Sequence, residues 1–320
     1  MKILFHTNTL SYRGTTVAVR DYATYNQSLL GNQSIICYDT AFAYAKDLGT
    51  EPAVLESLQS RFKVLSHCGQ DDLSRLVDQE KPDLLYMIHA GNGNYVAPGC
   101  ATAIHAVFQY YNPHGHRYAY ISEWLALTMN QRHSAAIPWV PHMVTLPSVT
   151  DNYREILGIP QSNTVIGRMG GYYTFDIPFV KQAITEVLAA RQDYTFVFVG
   201  TEPWISHPQV RFLTEIHSPQ AKSNFIASCD AMIHARSGGE SFGLAIAEAL
   251  SLNKPVLAWE GGHDQNHQVL LNNSNLLYSE STVKEKLMNI KDLGSQATWS
   301  DRIQQFAPWP VMQRFKEVFL

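Results

Sequence analysis

The sequence predicts an α/β chain of two lobes, each a doubly wound parallel sheet. Apolar, β-rich runs alternate with segments of helical spacing along the chain, and the series starts afresh past residue 160. Size agrees: 320 residues with 45% hydrophobic side chains make about two ordinary domains with ample core.

"KILFHT" predicts a first strand, "NTLSYRGTT" a turn and "VAVRDYATYNQSLL" a helix. "SIICYD" and "FKVLSH" predict two more strands, "DDLSRLVDQEKP" a helix stopped at Pro82, and "DLLYMIHAGNG" a strand running into glycines. "AIHAVFQY" and "YAYISEW" add two further strands. "IPWVPHMVTLP" then carries Pro138, Pro141 and Pro147 in an extended stretch that reads as a linker, giving domains over 1–150 and 151–300. The second series opens with "TVIGRMGG". Val180, Ala183, Ile184, Val187 and Leu188 then line one face of a helix, and "YTFVFVG" makes a buried strand. "AMIHA", a helix containing Glu248, and "KPVLAWEGG" repeat the unit, and amphipathic segments follow from 299 to the end. Ligands of such sheets bind beyond the carboxyl ends of the strands, so the cleft between two Rossmann-like lobes is the expected site.

A formal charge of −4 with no lysine or arginine run argues against nucleic acid as a partner. Cys37, Cys68, Cys100 and Cys229 are far apart and form no C-x-x-C pair, which predicts reduced thiols and a cytoplasmic protein. "MKILFHTNTL" is too short an apolar run for a signal peptide, and no later run reaches membrane-spanning length.

The segment that carries chemistry is "ARSGGESFGLAIAEAL" (235–250). Its predicted strand delivers the chain to the carboxyl edge of the second sheet. Gly238, Gly239 and Gly243 then permit close backbone approach to a ligand, and a helix starting near Phe242 offers free N–H groups to an anion. Glu248 would sit roughly 9 Å along that helix, with Glu240 in the loop before it. A nucleotide sugar suits two separated carboxylates, one accepting from sugar hydroxyls and one from ribose hydroxyls, with the diphosphate at the helix terminus. The plainer alternative is an acid favouring the helix dipole and a second acid exposed on one face.

Glu240-Ser-Phe-Gly-Leu-Ala-Ile-Ala-Glu248, preceded by "CDAMIHARSGG" and followed by "KPVLAWEGG", resembles the donor-site signature of family 4 (group 1) retaining glycosyltransferases. The resemblance covers about 160–270 closely and the N-terminal half in outline. It implies the GT-B architecture, two facing Rossmann-like doubly wound parallel-sheet domains, with residues 301–320 forming a helix that crosses back to the first. It implies transfer from a nucleotide-sugar donor to a carbohydrate or glycoconjugate acceptor, retention at the anomeric carbon and a place in glycan biosynthesis. Glu240 would contact the transferred sugar and Glu248 the ribose, while Ser241 and the Phe242, Gly243 and Leu244 backbone serve the sugar and diphosphate. Arg168, in "IGRMGG", falls where the family neutralises the diphosphate, although a surface ion pair is the alternative. The lysine usual about five residues later is replaced by Tyr173, the next lysine being Lys181. Gly171 and Tyr172 complete the donor set, with either the helix terminus or a hydrogen bond donated by Tyr172 or Tyr173 in the lysine's stead.

No D-x-D occurs, which predicts metal-independent transfer with no cofactor. "SYRGTT" stands in the place of the family's glycine-rich loop, so Gly14 and Thr15 would approach the donor phosphate, a plain strand–helix turn being the alternative. Among His105, His114 and His116, the turn residue His114 is the expected catalytic partner of substrate, with His116 second and His105 a core residue. A metal on H-x-H alone lacks a third ligand. "WEGGHDQNHQVLL" either borders the donor or is a turn capped by Asp264. The competing readings are a non-catalytic nucleotide- or carbohydrate-binding protein, and another enzyme of the same architecture such as a nucleotide-sugar epimerase or a phosphorylase.

Overall fold

The computed structural model describes residues 1–45, 49–214, 216, 218–293 and 299–320. The chain packs as two units, Met1–Met143 with Phe306–Leu320, and Val144–Gln305. The first unit contains β1 (Lys2–Thr7), β2 (Gln33–Asp39), β3 (Lys63–His67), β4 (Leu84–His89), β5 (Ala101–Ala106) and β6 (Arg117–Tyr120). They form one parallel sheet in the order β3-β2-β1-β4-β5-β6.

The second unit contains β7 (Thr164–Met169), β8 (Tyr194–Val199), β9 (Val210–Leu213), β10 (Ala231–His234), β11 (Gly239–Glu240), β12 (Val256–Trp259), β13 (Asp264–Gln265) and β14 (Leu277–Tyr278). Its parallel sheet runs β14-β12-β10-β7-β8-β9, and β11 and β13 form a separate two-residue ladder. In each sheet the direction of winding reverses beside the first strand, between β1 and β4 and between β7 and β10. Such a reversal leaves a crevice at the carboxyl ends of the two strands. His6, Thr7 and His89 stand at the first, Arg168 and His234 at the second.

The alternation read from sequence therefore gives two doubly wound parallel sheets, with local differences. "YAYISEW" is not one strand: β6 stops at Tyr120 and a helix, Glu123–His133, begins because the Ser122 side chain accepts from the Leu125 N–H. The helix after β10 spans Leu244–Ser251 and not from Phe242, because Gly243 sits at φ 90° in the left-handed region and caps it. Asp264, in the turn after β12, lies in the β11–β13 ladder, and Gln265 is the residue that precedes the Asn266–Leu271 helix.

The final helix, Pro308–Phe319, belongs to the first unit. Phe315 is fully buried there, with ring centroids 5.2 Å from Tyr22, 5.3 Å from Tyr86 and 5.2 Å from Phe319. Arg314 donates to the Trp139 carbonyl at 2.6 Å and lies over its ring. Phe315→Ala should cost the first unit about 3–5 kcal/mol. Chemical denaturation checks this, and a loss below about 1 kcal/mol would contradict the packing assigned to the helix.

Candidate functional site

The second unit's site begins at Gly239. A β-carbon there would stand 1.9 Å from the Asp264 carbonyl oxygen, and its φ is 70°, so only glycine lets β11 lie against β13. The ladder fixes the next residue, Glu240. Its Oε1 accepts from His234 Nε2 at 2.9 Å and its Oε2 from Arg236 at 3.2 Å. Burial pushes the Glu240 carboxyl up, but the His234 hydrogen bond and the charges of His234 and Arg236 outweigh it, and the group ends below the ordinary glutamate range. Glu240 is an ionised acceptor at neutral pH.

Because His234 Nε2 donates, its ring is anchored through that nitrogen, and Tyr278 fixes its backbone by donating to the His234 carbonyl at 2.8 Å. His267 stacks 5.9 Å away and donates from Nε2 to the Trp259 carbonyl at 2.9 Å. Neither supporting histidine was read from the sequence. The only trace was the His234 position in "AMIHA", where the alternation gives no hint that the side chain meets a loop residue six positions on.

Glu248 is the fifth residue of the Leu244–Ser251 helix, ~6 Å along it from Leu244. It is 5% exposed and forms an ion pair with Lys222 at 2.7 Å, which rules out the alternative of an exposed acid on a helix face. Ser241 and Phe242 are buried as well, and Asn266 donates to the Phe242 carbonyl at 2.6 Å.

Arg168 lies at the end of β7, 3% exposed, so it is no surface ion pair. One terminal nitrogen donates to the Gly200 carbonyl at 2.8 Å and to Thr201 Oγ1; the other donates to the Gly171 carbonyl at 2.9 Å and to Thr174 Oγ1 at 2.7 Å. Burial lowers its pKa to about 10, against the opposing pull of Glu240 and Asp176, so it remains charged at neutral pH. The arginine braces the loop that carries Gly170 and Gly171. Tyr172 and Tyr173 follow, 44% and 75% exposed. Asp176 joins this loop to the next, accepting from the Ser237 N–H at 2.7 Å and its hydroxyl at 2.6 Å.

In the first unit, Gly14 opens the Gly14–Ser28 helix, and the space its β-carbon would occupy is open. The loop before it is held by Thr16. The Thr16 hydroxyl donates to the Thr9 carbonyl at 3.0 Å and accepts from the Ser11 N–H at 3.2 Å. His114 donates from Nδ1 to the Asn112 carbonyl at 2.7 Å, leaving Nε2 buried with a bare lone pair, 5.5 Å ring to ring from His89. His116, by contrast, accepts from the Thr102 N–H at the start of β5, away from the carboxyl edge. Among the described residues no cluster of three His, Cys, Asp or Glu side chains has the arrangement of a metal site.

His89 is a residue the sequence reading passed over. Its Nδ1 accepts from the Gly91 N–H at 3.0 Å, and burial together with His114 lowers its pKa to about 4. His6 and His67 are 3% exposed with rings 5.1 Å apart, and burial leads the lowering of both. The carboxyl edge of this sheet is thus lined by imidazoles, of which His6, His67 and His89 are held neutral.

Residues 162–290 match the family model described as Glycosyl transferases group 1, so the second unit carries a group 1 glycosyl transferase domain. Among solved structures the chain is similar to Anabaena HepE in complex with UDP-glucose, at 16% identity and TM-score 0.73, covering 99% of this chain and 98% of that one. It is similar to a glycosyltransferase from Rickettsia africae ESF-5, at 13% identity and TM-score 0.73, covering 99% and 97%. It is also similar to WaaG, a glycosyltransferase involved in lipopolysaccharide biosynthesis, at 11% identity and TM-score 0.70, covering 99% of each chain. At such identities the likeness is one of fold, and that fold is GT-B. No curated protein matches the chain.

His105, expected in the core, is fully buried. Its Nε2 donates to the Val140 carbonyl at 2.8 Å and its Nδ1 accepts from the Tyr86 hydroxyl at 2.5 Å. Burial, with His142 adding to it, lowers its pKa to about 3. Above the ordinary histidine value of ~6.5 both folded and unfolded chains hold it neutral. Below that value the unfolded chain takes a proton the folded one refuses, so stability falls as pH drops from about 6.5 toward 3. His105→Gln keeps a donor and an acceptor and removes the titration. The variant's stability, measured by denaturation between about pH 6.5 and 5, should fall less steeply by about 1 kcal/mol per pH unit on average over that range, the limit well below pH 6.5 being about 1.4. An unchanged slope would contradict the assignment.

Proposed function

We propose that the protein transfers a hexosyl group from a nucleotide-sugar donor to a hydroxyl of a carbohydrate or glycoconjugate acceptor, with retention at the anomeric carbon and without a metal ion. The observation that carries the reading is the pair Glu240 and Glu248 around a glycine-capped helix start, with Glu240 held ionised by His234 and Arg236. Glu240 accepts from hydroxyls of the transferred sugar and Glu248 from the ribose. The first N–H groups of the Leu244–Ser251 helix and the buried charge of Arg168 stabilise negative charge on the departing nucleoside diphosphate. Arg168 does this mainly through its field, since its terminal nitrogens already serve the loop. Gly171 and Tyr172 border the donor on that loop.

The acceptor belongs to the first unit, with His114 as a hydrogen-bond partner of substrate, while Gly14 and Thr15, which open the Gly14–Ser28 helix, approach the donor phosphate. No dedicated general base is required, and positioning of the two substrates supplies much of the rate. The HepE structure holding UDP-glucose supports a UDP-sugar as the first donor to try, and the lipopolysaccharide role of WaaG supports a glycan acceptor, with peripheral membrane contact where that acceptor is lipid-linked.

Calorimetry with UDP-glucose, UDP-galactose, GDP-mannose and ADP-glucose, followed by nucleotide release with and without EDTA, tests the proposal. At least one donor should bind and turn over with EDTA present. Failure to bind any nucleotide sugar would remove the reading, and binding without release would leave a binding protein. Loss of turnover in EDTA would remove metal-free transfer. Glu240→Gln should lower turnover by about 10²-fold or more, measured as nucleotide release.

A further inference from the structure

We infer that Lys222 supplies the second cation of the diphosphate site, reaching it from the ribose end; the inference rests on the nucleotide-sugar reading above. A departing nucleoside diphosphate calls for positive charge that need not reorganise during the reaction. The position expected to hold a lysine is Tyr173, an uncharged side chain 75% exposed. Arg168 donates from both terminal nitrogens to protein oxygens, Arg236 is bonded to Glu240, and Lys181 lies over the Trp204 ring at 5.2 Å.

Lys222 is differently placed. It is the fourth residue of the Pro219–Ser228 helix, which leads into β10, so the start of that helix lies at the carboxyl edge of the sheet. The helix carrying Glu248 leaves the same edge after β10. The two early turns bring Lys222 Nζ to 2.7 Å from Glu248 Oε1, with the side chains 20% and 7% exposed. An ammonium has three donors and Glu248 takes one; the carboxylate keeps Oε2 for a ribose hydroxyl. Ribose and diphosphate are joined through a single methylene carbon and oxygen. An ammonium beside the ribose carboxylate, on a flexible four-carbon stem, is therefore within reach of the first phosphate.

A purely structural ion pair makes a different prediction. Removing either partner of a brace breaks the same contact and leaves the other charge buried, so the two variants should behave alike. If Lys222 serves the phosphate and Glu248 the ribose, the variants should diverge. The readout is the phosphate increment, the ratio of affinities for a nucleoside diphosphate and its nucleoside, measured by calorimetry with UDP and uridine, GDP and guanosine, and ADP and adenosine.

Lys222→Gln keeps an N–H for Glu248 without the charge. It should reduce the increment by about tenfold or more while leaving nucleoside affinity within about threefold. Lys222→Arg should retain most of the increment. Glu248→Gln should weaken the nucleoside and leave the increment unchanged or larger. An unchanged increment in Lys222→Gln overturns the inference, as does a parallel loss in Lys222→Gln and Glu248→Gln. Should Lys222→Gln fail to fold by circular dichroism, a fall of the increment in Glu248→Gln still overturns it, and a maintained increment there and in Lys222→Arg supports it. Wild-type protein that binds none of the three diphosphates removes the nucleotide-sugar reading itself. Wild-type binding with an unaltered Lys222→Gln increment removes only the role of Lys222.

Discussion

Keeping carboxylates charged away from water is the constraint around which the second unit is built. Taking a glutamate out of solvent favours its neutral form unless a donor or a cation lies close by. Glu240 has both, a histidine N–H on one oxygen and an arginine on the other, and Glu248 has a lysine. These contacts require loops held within tenths of an ångström. Gly239 packs against the Asp264 carbonyl, Asp176 ties down Ser237, and Arg168 gathers the oxygens of two loops around one buried charge. The sheet beneath supplies the rigid platform, with Phe196, Phe198 and Ile233 fully or almost fully buried.

The first unit solves a different problem. Its carboxyl edge carries few charges and several imidazoles, and burial holds His6, His67 and His89 in the neutral form. Neutral imidazoles present a donor on one nitrogen and a lone pair on the other, which matches the hydroxyl group, itself both donor and acceptor. A charged edge would favour an anionic or cationic ligand instead. The contrast between the units follows from the same sheet topology dressed with different side chains at the strand ends.

Much of the fold was legible because a parallel sheet buried on both faces demands continuous apolar runs such as "YTFVFV", and crossover helices demand the 3.6-residue period of Val180, Ala183, Ile184, Val187 and Leu188. Short elements were not legible. β11 and β13 are two residues each, too short to show any period, and exist because a glycine permits one close approach. The bond from the Thr16 hydroxyl to the Thr9 carbonyl was not legible either, because it joins two residues seven positions apart across a turn that has no period.

The sequence alone determined the parallel, doubly wound class of both sheets, the glycine-broken turn after β10 and the presence of two acids eight residues apart, since these are written in local pattern and spacing. Tertiary structure decided what those acids meet. His234, Arg236 and Lys222 reach Glu240 and Glu248 from a neighbouring strand end, a loop and another helix. Separations of 6, 4 and 26 residues become bonds of 2.9, 3.2 and 2.7 Å only when the strands align. Electrostatic pairing depends on distance through space, and that distance is set by how the chain packs.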